Sequence, residues 1–280
     1  MKLRRYLGGG RLEQDGEWHC EYDADGNLTE RYLGTGRWLD GKKDRWRYRW
    51  NADGSLAKVV RPDKREVEFT YDALGRRLSK SFGTTVTRWV WNGNVPLHQW
   101  KQHREYSVVE DRWNTDTERR DMTVWLFDEE SFVPVAMIKE GRSYSILTDQ
   151  LGTPTEAYDT EGNEVWSRVL DMDGNVIEET GNKGMIPFLF QGQYYDRETG
   201  LAYNRFRYYS PKMGMYVSQD PIGLAGGICL YGFVANANLF VDIYGLCGGG
   251  RWDTKNNKKL ANHIENQGLS QKEKVNTMLK

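Results

Sequence analysis

Short strand-like stretches alternate along the chain with turns that begin at Asp or Asn and contain Gly. In "FTYDALGRRLSK", apolar and polar positions alternate up to Tyr71, Asp72 begins a turn, and Gly75 precedes the next strand-like stretch. An Asp side chain at the start of a turn bonds its own backbone, and Gly adopts a positive φ without steric cost. The pattern therefore predicts a β-hairpin.

The same unit recurs along most of the chain. It is repeated at Tyr22-Asp23…Gly26, Trp50-Asn51…Gly54, Thr148-Asp149…Gly152, Tyr158-Asp159…Gly162 and Leu170-Asp171…Gly174, and in stretched form at Asp196…Gly200 and Ser210…Gly214. One repeated hairpin predicts an array in which each unit buries its apolar face against its neighbours. We predict an all-β fold, with the hairpins wound into a curved sheet. A charged stretch between Asp111 and Asp121 interrupts the repeats and is interpreted as a loop or insertion.

Composition favours an aromatic core and excludes some partners. The 280 residues include 11 Trp, 16 Tyr and 30 Gly, which favours a core of Tyr, Trp and Val over Leu-rich helices. A net charge of −1 excludes a nucleic-acid footprint, and no apolar run is long enough for a membrane span or a signal peptide. The three Cys lack a pairing pattern, and no cofactor motif is present, so we expect no metal and no cofactor.

The chain changes character after Leu246. "CGGG" begins a glycine linker, Leu260 and Ile264 share a helical face, and Ser270 to Glu273 form a capping-box pattern. Two short helices are predicted in these 34 residues, which is too little chain to bury a core of its own.

Two related pentads stand near the end of the β region. Asp220-Pro-Ile-Gly-Leu224 returns as Asp242-Ile-Tyr-Gly-Leu246. Two carboxyls that share a site differ in proton affinity, so that one can take a proton from water while the other donates one. Asp in a turn is also an ordinary structural residue. From the residues alone, an acid-base pair and a pair of structural turns both stay open.

The repeats resemble YD repeats, and the segment "FQGQYYDRETGLAYNRFRYYSPKMGMYVSQDPIGLAGGICLYGFVANANLFVDIYGL" resembles the core-associated segment of Rhs proteins, a family of polymorphic toxins. The resemblance implies a β-sheet shell wound into a cocoon around a variable C-terminal toxin. It also implies that the shell cuts itself just after the second pentad.

The resemblance extends to single residues. It implies that Asp220 and Asp242 are catalytic and that cleavage falls between Leu246 and Cys247. Arg207, in "RFRYYSP", matches the family's arginine and would stabilise an oxyanion or hold a carboxylate ionised. The sequence departs from the family pattern where Ile replaces the proline of the second pentad, which removes a fixed φ from the cutting site. Gly245 and Leu246 are expected to present an extended, accessible bond.

The resemblance also divides the chain. We predict a YD-repeat shell segment at 1–100, a charged insertion with connecting strands at 101–140 and a second shell segment at 141–189. A core-associated autoproteolytic segment then covers 190–246, and a truncated variable tail covers 247–280.

The function implied is that of the C-terminal part of an Rhs-type toxin shell in interbacterial competition, active at most on its own backbone by an aspartyl mechanism. Implied partners are its own tail or toxin, the rest of an Rhs shell, an immunity protein and type VI secretion spike components. The implied location is the bacterial cytoplasm before delivery by a type VI or contact-dependent route. The alternatives are a non-cleaving structural or interaction YD-repeat protein, an inactive truncated remnant, and thiol chemistry at Cys247.

Overall fold

The computed structural model describes residues 3–34 and 43–246, and this part of the chain is built almost entirely of β-strands. Its helical turns are two short 3₁₀ segments, Gly8–Gly10 and Gly223–Gly226. The strands are β1 (Arg4–Tyr6), β2 (Leu12–Asp15), β3 (Trp18–Tyr22), β4 (Leu28–Leu33), β5 (Lys43–Trp50), β6 (Leu56–Val60), β7 (Glu66–Tyr71), β8 (Arg77–Phe82), β9 (Thr85–Asn92), β10 (Val95–Ser107), β11 (Arg112–Thr115), β12 (Arg120–Phe127), β13 (Pro134–Lys139), β14 (Arg142–Thr148), β15 (Pro154–Tyr158), β16 (Glu164–Leu170), β17 (Val176–Gly181), β18 (Tyr194–Asp196), β19 (Leu201–Asn204), β20 (Arg207–Ser210) and β21 (Met215–Tyr216).

The repeated units form the hairpin turns that the sequence predicts. In the β7–β8 turn, the Asp72 amide donates to the Arg76 carbonyl at 2.9 Å, and the Asp72 carboxyl accepts the Arg76 amide at 2.8 Å. Gly75 takes a φ of +78°, where a side chain would be strained. Turns that begin at Asp23, Asp149, Asp159 and Asp171 repeat both hydrogen bonds.

The first seventeen strands form one antiparallel meander. Each strand pairs with the next along the chain from β1 to β10 and from β12 to β17. The long strand β10 pairs with β12 near its middle and with β11 at its end. Among the described strands of this sheet, β1, β11 and β17 have one neighbour each, and β1 and β17 are the two end strands of the meander.

A second, four-stranded sheet of β18 to β21 fills the concave side of the meander. Its residues share one core cluster with buried side chains from most of the meander strands, among them Tyr48, Trp89, Trp125 and Trp166. Because so many strands of one sheet contact the same small sheet, the large sheet has to curl around it. The core is aromatic, as the composition predicts.

The two edge strands approach the same turn of the small sheet. Arg4 of β1 donates to the Met213 carbonyl at 3.0 Å, and Asn175, just before β17, donates to the Pro211 carbonyl at 3.1 Å. The turn between β20 and β21 therefore lies at the opening between the two edges. The predicted all-β curved sheet is confirmed, whereas the predicted helices at 247–280 lie outside the described residues.

No helix in the described part of the chain has the length and apolar character needed to cross a membrane. The predicted segment boundaries stay a prediction.

Candidate active site

The candidate residues come from three places in the C-terminal segment. Arg207 begins β20, Asp220 follows β21, and Asp242 begins the last described turn. Each has at most 4% of its surface exposed. Cys247 lies outside the described residues.

Both pentads are turns of the kind found in the repeats. The Asp242 carboxyl accepts the amide of Leu246 through Oδ1 at 2.9 Å, and Gly245 has a φ of +69°. The Asp220 carboxyl accepts the amide of Ile222 through Oδ1 at 3.0 Å. Asp220 and Asp242 can therefore be both turn residues and members of an acid–base pair. One oxygen of each carboxyl stabilises its turn, and the other faces the site.

The two second oxygens meet at one guanidinium. Arg207 Nη2 lies 3.2 Å from Asp220 Oδ2 and 3.4 Å from Asp242 Oδ2. Arg207 also donates from Nε to the Gly245 carbonyl and from Nη1 to the Leu230 carbonyl, the latter at 3.1 Å. The structure thus brings the three sequence-predicted residues together around one buried positive charge.

The carbonyl of Leu246 and the carboxyl of Asp220 both border Gly226. A Cβ added to Gly226 would come within 3 Å of both Asp220 Oδ2 and the Leu246 carbonyl oxygen. Gly226 therefore leaves room for these two oxygens on the same side of its backbone. The bonds from Arg207 to the Gly245 carbonyl and from the Leu246 amide to Asp242 hold the last described peptide groups at the site.

Burial raises the proton affinity of Asp220. It raises the pKa of Asp220 to about 6, and the charge of Asp242 adds to the shift, while Arg207 and the Ile222 amide oppose it. Asp220 Oδ2 accepts no aligned hydrogen bond from the described residues, although Arg207 is close. Asp220 therefore keeps its proton to a higher pH than an exposed aspartate does.

Asp242 has more donors than Asp220. Tyr216 donates its hydroxyl hydrogen to Asp242 Oδ2 at 2.8 Å, in addition to the bonds from Arg207 and from the Leu246 amide. Asn204 donates to the Tyr216 hydroxyl at 2.7 Å and to the Asp242 carbonyl at 2.8 Å.

Sequence reasoning missed Asn204, Tyr216 and Gly226. Tyr216 is one of 16 tyrosines, and nothing in its local pattern distinguishes it from those of the core. Gly226 lies beside another glycine in "LAGG" and reads as a loop residue. These three residues could have been predicted only if the neighbouring strands in the fold had been known.

The prediction that Gly245 and Leu246 are extended and accessible is wrong. Gly245 is in the left-handed region, and Leu246 is 1% exposed because it packs with Phe206, Ile222 and Ile243. Ile243 is itself buried, so the residue that replaces the family's proline belongs to this apolar cluster.

A cleft borders the site on the side of Asp220. Asp220, Ser218 and Gln219 line a cleft of about 460 Å³ together with the β3–β4 and β5–β6 turns. Within residues 3–34 and 43–246, no group of three or more His, Cys, Asp or Glu side chains is arranged to hold a metal ion.

Known proteins share this architecture, in which hairpin repeats are wound around a C-terminal segment. The Teneurin YD-shell family model matches residues 5–225. The chain belongs to this family of YD-repeat shell proteins, in its Rhs branch.

Rhs toxins are among its relatives. The chain is 31% identical over 250 residues to "Probable deoxyribonuclease RhsB" of Dickeya dadantii, which covers 85% of this chain and 16% of the relative. It is 33% identical over 255 residues to "Toxin protein Tse5" of Pseudomonas aeruginosa, with 82% and 19% covered. The chain thus spans less than a fifth of the length of these relatives.

Solved structures share the fold. The chain aligns with the crystal structure of TcdB2-TccC3-Cdc42 at a TM-score of 0.57 and 16% identity, covering 82% of this chain and 13% of the other. Its alignment with the crystal structure of TcdB2-TccC3 has a TM-score of 0.55 and 17% identity. This likeness concerns the shell fold.

Proposed function

We propose that this chain is the self-cleaving end of an Rhs-type toxin shell, in which Asp220, Asp242 and Arg207 hydrolyse the Leu246–Cys247 bond. The observation that carries the proposal is the convergence of two buried aspartates on one guanidinium, with the Leu246 carbonyl and Asp220 Oδ2 both bordering Gly226. The shell relatives support the setting, a shell that holds a toxin downstream.

The unequal environments of the acids give each a role. Asp220, whose pKa is raised to about 6, carries the proton and donates it to the Leu246 carbonyl oxygen. Asp242, which accepts several hydrogen bonds, takes a proton from water that enters from the cleft at Asp220. Arg207 stabilises the charge that develops during attack.

The reaction balances as an ordinary hydrolysis. Water adds its oxygen to the Leu246 carbonyl carbon, and its proton passes to Asp242. As the tetrahedral intermediate collapses, the carbon–nitrogen bond to Cys247 breaks, the leaving amine receives the proton from Asp242, and Asp220 recovers its proton from one of the two hydroxyls of the intermediate. Residues 247–280 are then separated from the shell, and both carboxyls return to their starting states.

The burial of Leu246 is compatible with cleavage because the nucleophile is a water molecule and the substrate is part of the same chain. The substrate needs no diffusion path, and its Leu246 amide is already bonded to Asp242. Such positioning is a large part of the rate advantage of an intramolecular reaction.

We further propose that the partners are the tail itself and additional YD-repeat shell, with an immunity protein and type VI secretion spike components in delivery. The chain spans less than a fifth of the length of these relatives, one of which is named a probable deoxyribonuclease and the other a toxin protein. Secretion by a type VI or contact-dependent route belongs to the same proposal.

The test is the intact mass of purified chain as a function of time. We expect a fragment that begins at Cys247 to appear without added protease. Asp220→Asn and Asp242→Asn should each slow its appearance about 10²- to 10⁴-fold, the usual contribution of one acid or base. Asp159→Asn is the matched control, since Asp159 begins a turn of the same geometry between β15 and β16.

Two further variants separate the alternatives. Cys247→Ala should still be cut if the acids do the chemistry, and should stall if a thiol attacks. Ile243→Pro should speed cleavage if the lost proline has loosened the site. A wild-type chain that stays whole, together with a whole Ile243→Pro chain, would leave the pentads as structural turns.

A further inference from the structure

Tyr216 contacts two of the three residues of the candidate active site at once. Its ring lies under the Arg207 guanidinium, with the guanidinium carbon 3.7 Å from the ring centre. Its hydroxyl lies 2.8 Å from Asp242 Oδ2. A fully buried side chain that stacks on the cation and bonds the anion determines the orientation of both.

Asn204 makes the Tyr216 hydroxyl a hydrogen-bond donor toward Asp242. An amide nitrogen is a donor only, so the bond from Asn204 Nδ2 to the Tyr216 oxygen, 2.7 Å long, occupies an acceptor position of the hydroxyl. The hydroxyl hydrogen is then free to point at Asp242. Because burial and the nearby Asp242 charge raise the pKa of Tyr216 well above its usual value, that hydrogen stays in place over the ordinary pH range.

Asn204 also holds the backbone of the same aspartate. Its second amide hydrogen bonds the Asp242 carbonyl at 2.8 Å. Asn204 and Tyr216, which come from β19 and β21 on either side of β20, thus contact both ends of Asp242. Asp220 has no equivalent support, since its Oδ2 accepts no aligned hydrogen bond from the described part of the chain.

We propose that Tyr216, fixed as a donor by Asn204, is the positioning residue that orients Asp242 in this site. The inference rests on the proposed self-cleavage and extends it to residues that touch neither the scissile bond nor the water. The charged and titratable groups that face Asp242 are Arg207 from β20, Tyr216 from β21 and Asp220 from the segment after β21.

The sheet offers a matched control. Tyr209 lies directly opposite Tyr216 in the β20–β21 pair, is equally buried, and donates its hydroxyl to the Asp173 carbonyl at 2.9 Å, outside the site. Tyr216→Phe and Tyr209→Phe therefore remove one buried hydroxyl each from the same sheet. Only the first removes a donor from Asp242.

Cleavage is followed from pH 4 to 9 by intact mass. Tyr216→Phe should slow cleavage about 10- to 100-fold, the range expected for losing one hydrogen bond to a charged group. The acid limb of its pH profile should move to higher pH, because a carboxylate with fewer donors is protonated more readily. Asn204→Ala should act in the same direction, and Tyr209→Phe should match the wild type. Equal rates for Tyr216→Phe and wild type, or equal slowing in Tyr209→Phe, would overturn the proposal.

A second measurement keeps the inference separate from the proposed function. In protein labelled with ¹³C at the aspartate carboxyls, the Asp242 signal is assigned by its loss in Asp242→Asn. Its titration should move to higher pH in Tyr216→Phe and stay unchanged in Tyr209→Phe, whether or not the chain is cut. If the chain is never cut but the Asp242 titration shifts in this way, the self-cleavage proposal is rejected and the positioning role of Tyr216 is retained. An unchanged titration rejects the positioning role itself.

Discussion

Burial acts differently on the two aspartates that face Arg207. Asp242 accepts hydrogen bonds from Tyr216, from the Leu246 amide and from Arg207, whereas Asp220 Oδ2 has the guanidinium nearby without an aligned bond. A buried carboxyl with few donors retains its proton to higher pH. The asymmetry that an acid–base pair needs therefore arises from hydrogen bonding and not from residue type.

The first prediction at this scale is the alkaline limb of cleavage. Asp220 acts as an acid only while protonated, and its pKa is raised to about 6. The rate should therefore be highest below pH 6 and fall about tenfold per pH unit above it. Time courses of intact mass from pH 5 to 8 measure this directly. A rate that rises steadily through this range would show that Asp220 does not act as the acid.

The second prediction concerns stability. The pKa of Asp220 is about 6 in the folded chain against 3.8 in an exposed carboxyl, so the folded state binds more protons between these values. Stability must then fall as pH rises from about 4 to 6 and level off above.

Two uncut variants test this linkage. Asp242→Asn keeps Asp220 and should lose up to about 3 kcal/mol between pH 4 and 7, relative to Asp220→Asn, since one pKa unit corresponds to about 1.4 kcal/mol. Urea midpoints at the two pH values give the difference. Parallel pH dependence in both variants would contradict the raised pKa.

At the scale of elements, a buried ionic cluster joins the two sheets. Arg77 of β8 pairs with both oxygens of Asp196 in β18, and Lys80 lies 3.0 Å from the same carboxyl. Arg77 and Asp196 are 1% and 0% exposed. The guanidinium also lies over the rings of Trp89 and Tyr203, at 4.5 and 4.8 Å. The cluster therefore fixes how the small sheet sits inside the large one.

The third prediction is the cost of breaking this cluster. Asp196→Asn leaves two buried cations without their shared anion and should lower the free energy of unfolding by about 3 to 5 kcal/mol. Asp63→Ala is the control, because that exposed carboxyl pairs with Arg61 and Arg65 at the surface and its removal should leave stability unchanged. Denaturant titrations of both variants measure the effect. If Asp196→Asn is as stable as Asp63→Ala, the cluster does not hold the two sheets together.

At the scale of the whole molecule, the meander leaves two edges. Strand β17 is exposed along most of its length, with Ile177 67% exposed, and β1 is exposed throughout. Unpaired edges with apolar side chains are sites at which another strand can add. Longer YD-repeat relatives make additional shell the expected neighbour.

The fourth prediction is association through the β17 edge. The chain should self-associate or bind a longer Rhs shell, and Ile177→Lys should weaken this, because a charge on an edge strand opposes strand addition. Val108→Lys is the control, since Val108 is 84% exposed in the β10–β11 turn and away from that edge. Sedimentation over a range of concentrations measures the association. A monomeric wild type that binds no shell chain, or equal weakening by both variants, would reject the edge as the contact.

The hairpin repeat and the all-β class were determined by the sequence itself. Asp72 and Gly75 act within their own turn, through hydrogen bonds between residues four apart, so their local pattern carries the whole interaction. The aromatic composition similarly predicts the core without knowledge of the pairing. Asp220, Asp242 and Arg207 were selected through the likeness of one segment to the Rhs family, and the repeats alone leave the two acids as ordinary turn residues.

Only the tertiary structure decided what surrounds those residues. Asn204, Tyr216 and Gly226 reach Asp242, Arg207 and Leu246 from separate strands and loops, at sequence distances that no local pattern encodes. The same holds for Arg77 and Asp196, which are 119 residues apart. Turn chemistry is local and can be read from a few residues, whereas burial and proton affinity depend on which strands the curled sheet brings together.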